Sequence, residues 1–111
     1  MGAYDDWGSQ NDSMRRCLEM LTVMPVIACF FGIYVRMYFD DHGPPHFHVE
    51  YQGHEALVGI ASGEVFSGSL PRRAARLVQE WGLQHQAELM EDWRRASNLE
   101  PLLRIPGADN D

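Results

Sequence analysis

An α+β fold is what the sequence predicts: an antiparallel β-meander of three to four strands with two C-terminal helices packed on one face. Three observations point there. Residues 32–66 alternate apolar and polar with period two, interrupted by Gly- and Pro-containing turns. From about residue 71 the apolar residues recur at helical spacing instead. The strands all precede the helices, which is the element order of an α+β domain rather than of a parallel α/β sheet.

The first strand is set by Ile33, Val35, Met37 and Phe39 on one face, with Tyr34, Arg36, Tyr38 and Asp40 on the other. The second reads HFHVEYQ, with Phe47, Val49 and Tyr51 opposite His46, His48, Glu50 and Gln52. Asp, Gly and Pro between them supply turn chemistry. Gln52-Gly53 marks a tighter turn into a third strand carrying Ala56, Val58 and Ile60, and Ser62-Gly63 leads to a short fourth strand at Glu64–Phe66. Pro71 suits the first turn of a helix, where a missing N–H costs nothing. Ala74, Leu77, Val78 and Trp81 then form a stripe. Gly82 weakens a helix interior by roughly 1 kcal/mol relative to Ala, so a break is expected near 82–86. A second helix, about 86–97, carries Leu89, Met90, Trp93 and Ala96. The tail is extended from Pro101, with 106–111 expected to be disordered.

Registers follow from matching apolar faces, because a slip of one residue turns every side chain over. In the first hairpin this sets Phe39 against Phe47 and Met37 against Val49, with Asp40 against His46, Tyr38 against His48 and Arg36 against Glu50 outside. In the second it sets Val49 against Ala56 and Phe47 against Val58, with His48 against Leu57, His46 against Gly59 and Glu50 against Glu55.

The 111 residues suit one domain, 24–105, preceded by an N-terminal extension, 1–23. The extension is read as a flexible arm or a short helix capped by Ser13, with Met24 as an alternative start. The net charge of −7 argues against a protein that coats nucleic acid, since phosphate neutralisation needs cations. Nucleic-acid binding is therefore open but not favoured. Cys17 and Cys29 fit neither zinc nor redox spacing and read as thiols in a reducing compartment. Arg15-Arg16 and the apolar run through Cys29 have some features of an export signal, but Glu19 and Pro25 interrupt that run. A cytoplasmic protein with no membrane span is expected.

The chemistry concentrates in DDHGPPHFHVEY, Asp40–Tyr51. His46 and His48 share one side of a strand and could hold a divalent transition metal with Asp40 or Asp41. Asp41, His42, His46, His48 and Tyr38 could instead act as acid–base groups, because histidine titrates near neutral pH. The same Tyr/His/Arg surface suits a protein or nucleobase contact. A scaffolding role, in which the acids bond turn amides and the histidines pack, is the remaining alternative. Arg36 and the cluster Arg72, Arg73 and Arg76 are candidate binding residues; three cations at a helix start oppose the helix dipole.

The run MPVIACFFGIYVRMYFDDHGPPHFHVEY, followed by GEVFSGSLPRRAARLVQEW and ELMEDW, resembles the bacterial domain-of-unknown-function 4160 family. Arg36, Asp41, His42, Pro44, Pro45, His46, His48, Leu70, Pro71, Trp81 and Trp93 carry the resemblance. It implies a neighbour-encoded small partner of the domain-of-unknown-function 2442 type and a toxin–antitoxin-like pair. The expected function is a component of such a pair acting through protein–protein interaction. The alternative is a small enzyme, metal-dependent or ribonuclease-like. A homo-oligomer is a further option.

Overall fold

A computed structural model of the chain describes residues 25–109. The expected extension and its Ser13-capped helix lie outside the described residues. Five strands form one antiparallel sheet: β1 (Val26–Phe30), β2 (Ile33–Arg36), β3 (His46–Tyr51), β4 (His54–Gly59) and β5 (Val65–Gly68), in the order β1-β2-β3-β4-β5. Two helices follow, α1 (Arg72–Gln84) and α2 (Gln86–Ser97). The class is α+β, with one strand more than expected.

The extra strand is β1, whose VIACF run has no alternation to mark it. It turns into β2 through Phe31 and Gly32, both at positive φ (52° and 77°). Gln52 and Gly53 repeat that geometry (47° and 82°) between β3 and β4. Two successive left-handed residues are the two-residue hairpin turn whose twist matches a right-twisted sheet. Gln-Gly announces such a turn; Phe-Gly does not, because a bulky residue rarely adopts positive φ.

The β3–β4 register is the expected one throughout: His46 with Gly59, Phe47 with Val58, His48 with Leu57, Val49 with Ala56 and Glu50 with Glu55. The β2–β3 register is two residues from the expected one. Val35, not Met37, faces Val49, and Arg36, not Tyr38, faces His48. Because the displacement is even, the faces are preserved. The expected oppositions of Phe39 with Phe47 and Asp40 with His46 do not form, since β2 ends at Arg36 and residues 37–45 make a connection instead of a tight turn. Pro44-Pro45 offers no N–H to a ladder, which holds the start of β3 to His46. Arg36 still meets Glu50, diagonally, with Nε 3.1 Å from Oε1.

Ile33, Val35, Phe47, Val49 and Val58 bury one face of the sheet with Ala74, Val78 and Trp81 of α1 and Leu89 and Ala96 of α2. The Trp81 ring lies 5.1 Å from Phe30 and 5.9 Å from Phe47, centroid to centroid. Gly82 is buried beside the same ring; a Cβ there would meet Cζ of Phe47 at 3.4 Å, an ordinary contact. α1 ends at the expected place. His85 (φ −116°, ψ 28°) breaks the helical path, and its N–H is shared between the carbonyls of Trp81 and Gly82.

The tail does not leave the surface at Pro106. Ile105 is buried and donates its N–H to Ile27 O at 2.8 Å, Trp81 Nε1 donates to Pro106 O at 2.8 Å, and Phe31 N donates to a carboxylate oxygen of Asp109 at 3.1 Å. Cys29 is a half-buried free thiol. No helix among the described residues is long and apolar enough to cross a membrane.

Candidate functional site

The 37–45 connection and the first residues of β3 bring four of the sequence-predicted groups together. Asp40 takes positive φ (54°), and its N–H donates to Ala96 O near the end of α2, 3.0 Å away. That bond ties the connection to the helix layer. Asp41 follows, one carboxylate oxygen (Oδ1) accepting from the His42 N–H at 2.8 Å. The other, Oδ2, lies 3.0 Å from His46 Nε2 and 3.3 Å from His48 Nε2. Strand periodicity puts His46 and His48 on one side of β3, and one carboxylate oxygen spans both.

His46 is 5% exposed. Its Nδ1 is 2.9 Å from Pro44 O. A carbonyl only accepts, so Nδ1 carries the hydrogen and the ring orientation is fixed. The ring lies 5.2 Å from Trp93 and 5.6 Å, edge to face, from Phe66. His48 is half-buried, stacked on Tyr38 at 4.3 Å. Burial lowers the His48 pKa, and the hydrogen bond to Asp41 only partly opposes this, so the ring is held neutral at ordinary pH. At Asp41 burial acts to raise the pKa. The hydrogen bonds from the His42 amide and His48, with the nearby imidazoles, outweigh it and leave the carboxyl below its ordinary range.

Asp41, His46 and His48 each offer one ligand atom, all within 4.8 Å of one another, a donor set suited to a divalent transition metal. Of the two acids named from sequence as metal donors, Asp40 or Asp41, Asp41 is in that group and Asp40 is not. His42 contributes its backbone N–H and is itself exposed. Arg72, Arg73 and Arg76 stand apart: Arg73 lines a cleft with Phe31, Ile33 and Tyr51, at the end of β3 away from His46. Arg36 sits beside the site on the open face, paired with Glu50. Phe66 and Trp93, which wall in His46, were not readable as site residues. Phe66 sits at an irregularity in the β4–β5 pairing, and Trp93 reads as core from its helical spacing.

Among the described residues, no helix covers the sheet face opposite α1 and α2. Tyr34 and Tyr38 are 45% and 46% exposed there, beside Arg36, His48 and Leu57. A cleft of about 270 Å³ runs from Tyr38 and His48 to Glu50, Glu55 and Ser67.

Fold and site together define a small α+β protein with helices on one sheet face and a carboxylate–imidazole cluster at the end of the other. The family model for a domain of unknown function, DUF4160, matches residues 32–94. That span is more than half the chain and includes the whole cluster, and the chain belongs to this family. No curated protein and no solved structure matches it.

Proposed function

We propose that the chain is one half of a bacterial toxin–antitoxin-like pair, acting in the cytoplasm by docking a neighbour-encoded small protein of the domain-of-unknown-function 2442 type. The observation that carries this is the sheet face that no helix covers among the described residues, where Tyr34 and Tyr38 stand about half exposed beside Arg36. Tyr and Arg are the residue types over-represented at interface hot spots. Tyr34 is presented by β2 and Tyr38 is held against the His48 ring of β3, so ordering them on binding costs little entropy. The test is co-purification and calorimetry with the neighbour-encoded protein. A complex is expected, and Tyr34→Ala with Tyr38→Ala should weaken it at least about 30-fold, the equivalent of one hot spot. Absence of a complex, or an unaffected double variant, would sink the reading.

A second reading, a small enzyme, is supported by Asp41 Oδ2 touching both imidazoles. A carboxylate that orients a neutral imidazole is the arrangement of a general base. On this reading, expression of the chain alone arrests growth, and His48→Ala abolishes the arrest while the fold persists. Growth unaffected by expression removes it.

A further inference from the structure

We propose that Asp41, His46 and His48 form a binding site for one divalent transition-metal ion of the zinc or ferrous type. The inference does not depend on the partner reading; it rests on how the donors are held.

The His46 Nδ1 hydrogen is committed to Pro44 O. In the neutral ring, Nε2 is then a bare lone pair, and it faces a carboxylate oxygen at 3.0 Å. Two acceptors at that distance repel unless something positive lies between or beside them. A metal ion bound between them would satisfy both, beside the rings of Phe66 and Trp93.

The spacing fits. A tetrahedral ion with bonds of about 2.0–2.2 Å sets its donors about 3.3–3.6 Å apart. Asp41 Oδ2 is already 3.0 and 3.3 Å from the two nitrogens. The three donor atoms lie within 4.8 Å of one another, close enough to share one ion once the donors draw together. The outer contacts are those of metal sites. A ligand histidine donates its second N–H to a backbone carbonyl, and a ligand carboxylate is itself hydrogen-bonded, here to the His42 amide. Two imidazoles and one carboxylate are borderline donors that suit zinc or ferrous iron and disfavour calcium and magnesium. Three protein ligands also leave a coordination position for water or a partner's side chain.

The experiment titrates Zn²⁺, and separately Co²⁺ as a coloured reporter, into untagged chelator-treated full-length protein. Calorimetry and visible absorbance are the readouts. One equivalent per chain is expected, with Kd in the micromolar range or tighter. Because loss of an outer-shell partner alone costs about 10–100-fold, Asp41→Asn should weaken binding by more than about 100-fold. His48→Gln should do the same. Both variants keep side-chain volume, and circular dichroism confirms their fold. His54→Ala, at the exposed start of β4, should leave binding unchanged. The proposal is overturned if wild type takes up no stoichiometric metal, or if folded Asp41→Asn and His48→Gln bind as wild type does.

Discussion

Leu103 and Asp92 are joined by one hydrogen bond: the Leu103 N–H donates to Asp92 Oδ1 over 2.8 Å. The second carboxylate oxygen, Oδ2, is buried and has no hydrogen-bond partner among the described residues. Burial is the largest influence on this acid. It raises the Asp92 pKa above its ordinary value of 3.8, against the lowering effects of the Leu103 N–H and Arg95.

A pH dependence follows. The native chain holds the Asp92 proton more tightly than the unfolded chain does, so Asp92 weakens the fold as pH rises above about 3.8. Asp92→Asn keeps an oxygen for the Leu103 N–H and removes the charge. It should be at least as stable as wild type at pH 7, with an advantage that shrinks toward pH 4. Thermal unfolding from pH 4 to 8 measures this, and a deficit that is constant with pH would contradict it.

The two histidines should separate in stability. His46 is enclosed by Trp93, Phe66 and Pro44 O, so His46→Ala leaves a cavity and an orphaned carbonyl. It should cost about 2–4 kcal/mol. His48 is less enclosed, and His48→Ala should cost about 1 kcal/mol. Equal losses in denaturant titrations would show that the site is not graded in this way.

Gly68 closes β5 at φ 76°, with its Cα against the backbone of β4. An added Cβ would overlap the Glu55 carbonyl oxygen. Gly68→Ala therefore meets both a disfavoured dihedral and a backbone clash. It should cost about 3 kcal/mol or more, read as a lowered denaturation midpoint.

Trp81→Phe keeps an aromatic ring against Phe30 and Phe47 but removes the hydrogen bond to Pro106 O. A loss of about 1–2 kcal/mol is expected, with faster proteolysis confined to the residues after Glu100. Cleavage elsewhere first would mean that this bond does not hold the tail.

Much of the architecture was legible because period and turn chemistry agreed. The β3–β4 register came out residue for residue, since Gln52-Gly53 fixes the turn and Phe47, Val49, Ala56 and Val58 fix the faces. The helix break followed from Gly82 and is made at His85. β1 was not legible: VIACF shows no alternation, and its turn places Phe31 in a left-handed conformation. The β2–β3 register was missed because residues 37–45 form a longer connection. Its path is set by a tertiary bond, Asp40 N–H to Ala96 O, between residues far apart in sequence. The same bond explains why Asp41 rather than Asp40 meets the histidines. The i, i+2 spacing of His46 and His48 showed that they share a side; that Pro44 O fixes one ring and a single Asp41 oxygen reaches both emerges only in three dimensions.

The Ile105 N–H bonded to Ile27 O places the tail along β1. An uncovered border strand is a template on which a stranger's backbone can zip. Here the chain occupies that position itself. At the opposite border, the irregular β4–β5 pairing and the left-handed Gly68 shorten the run of regular ladder that another strand could copy. Among the described residues, both margins of the sheet are thereby guarded against open-ended polymerisation.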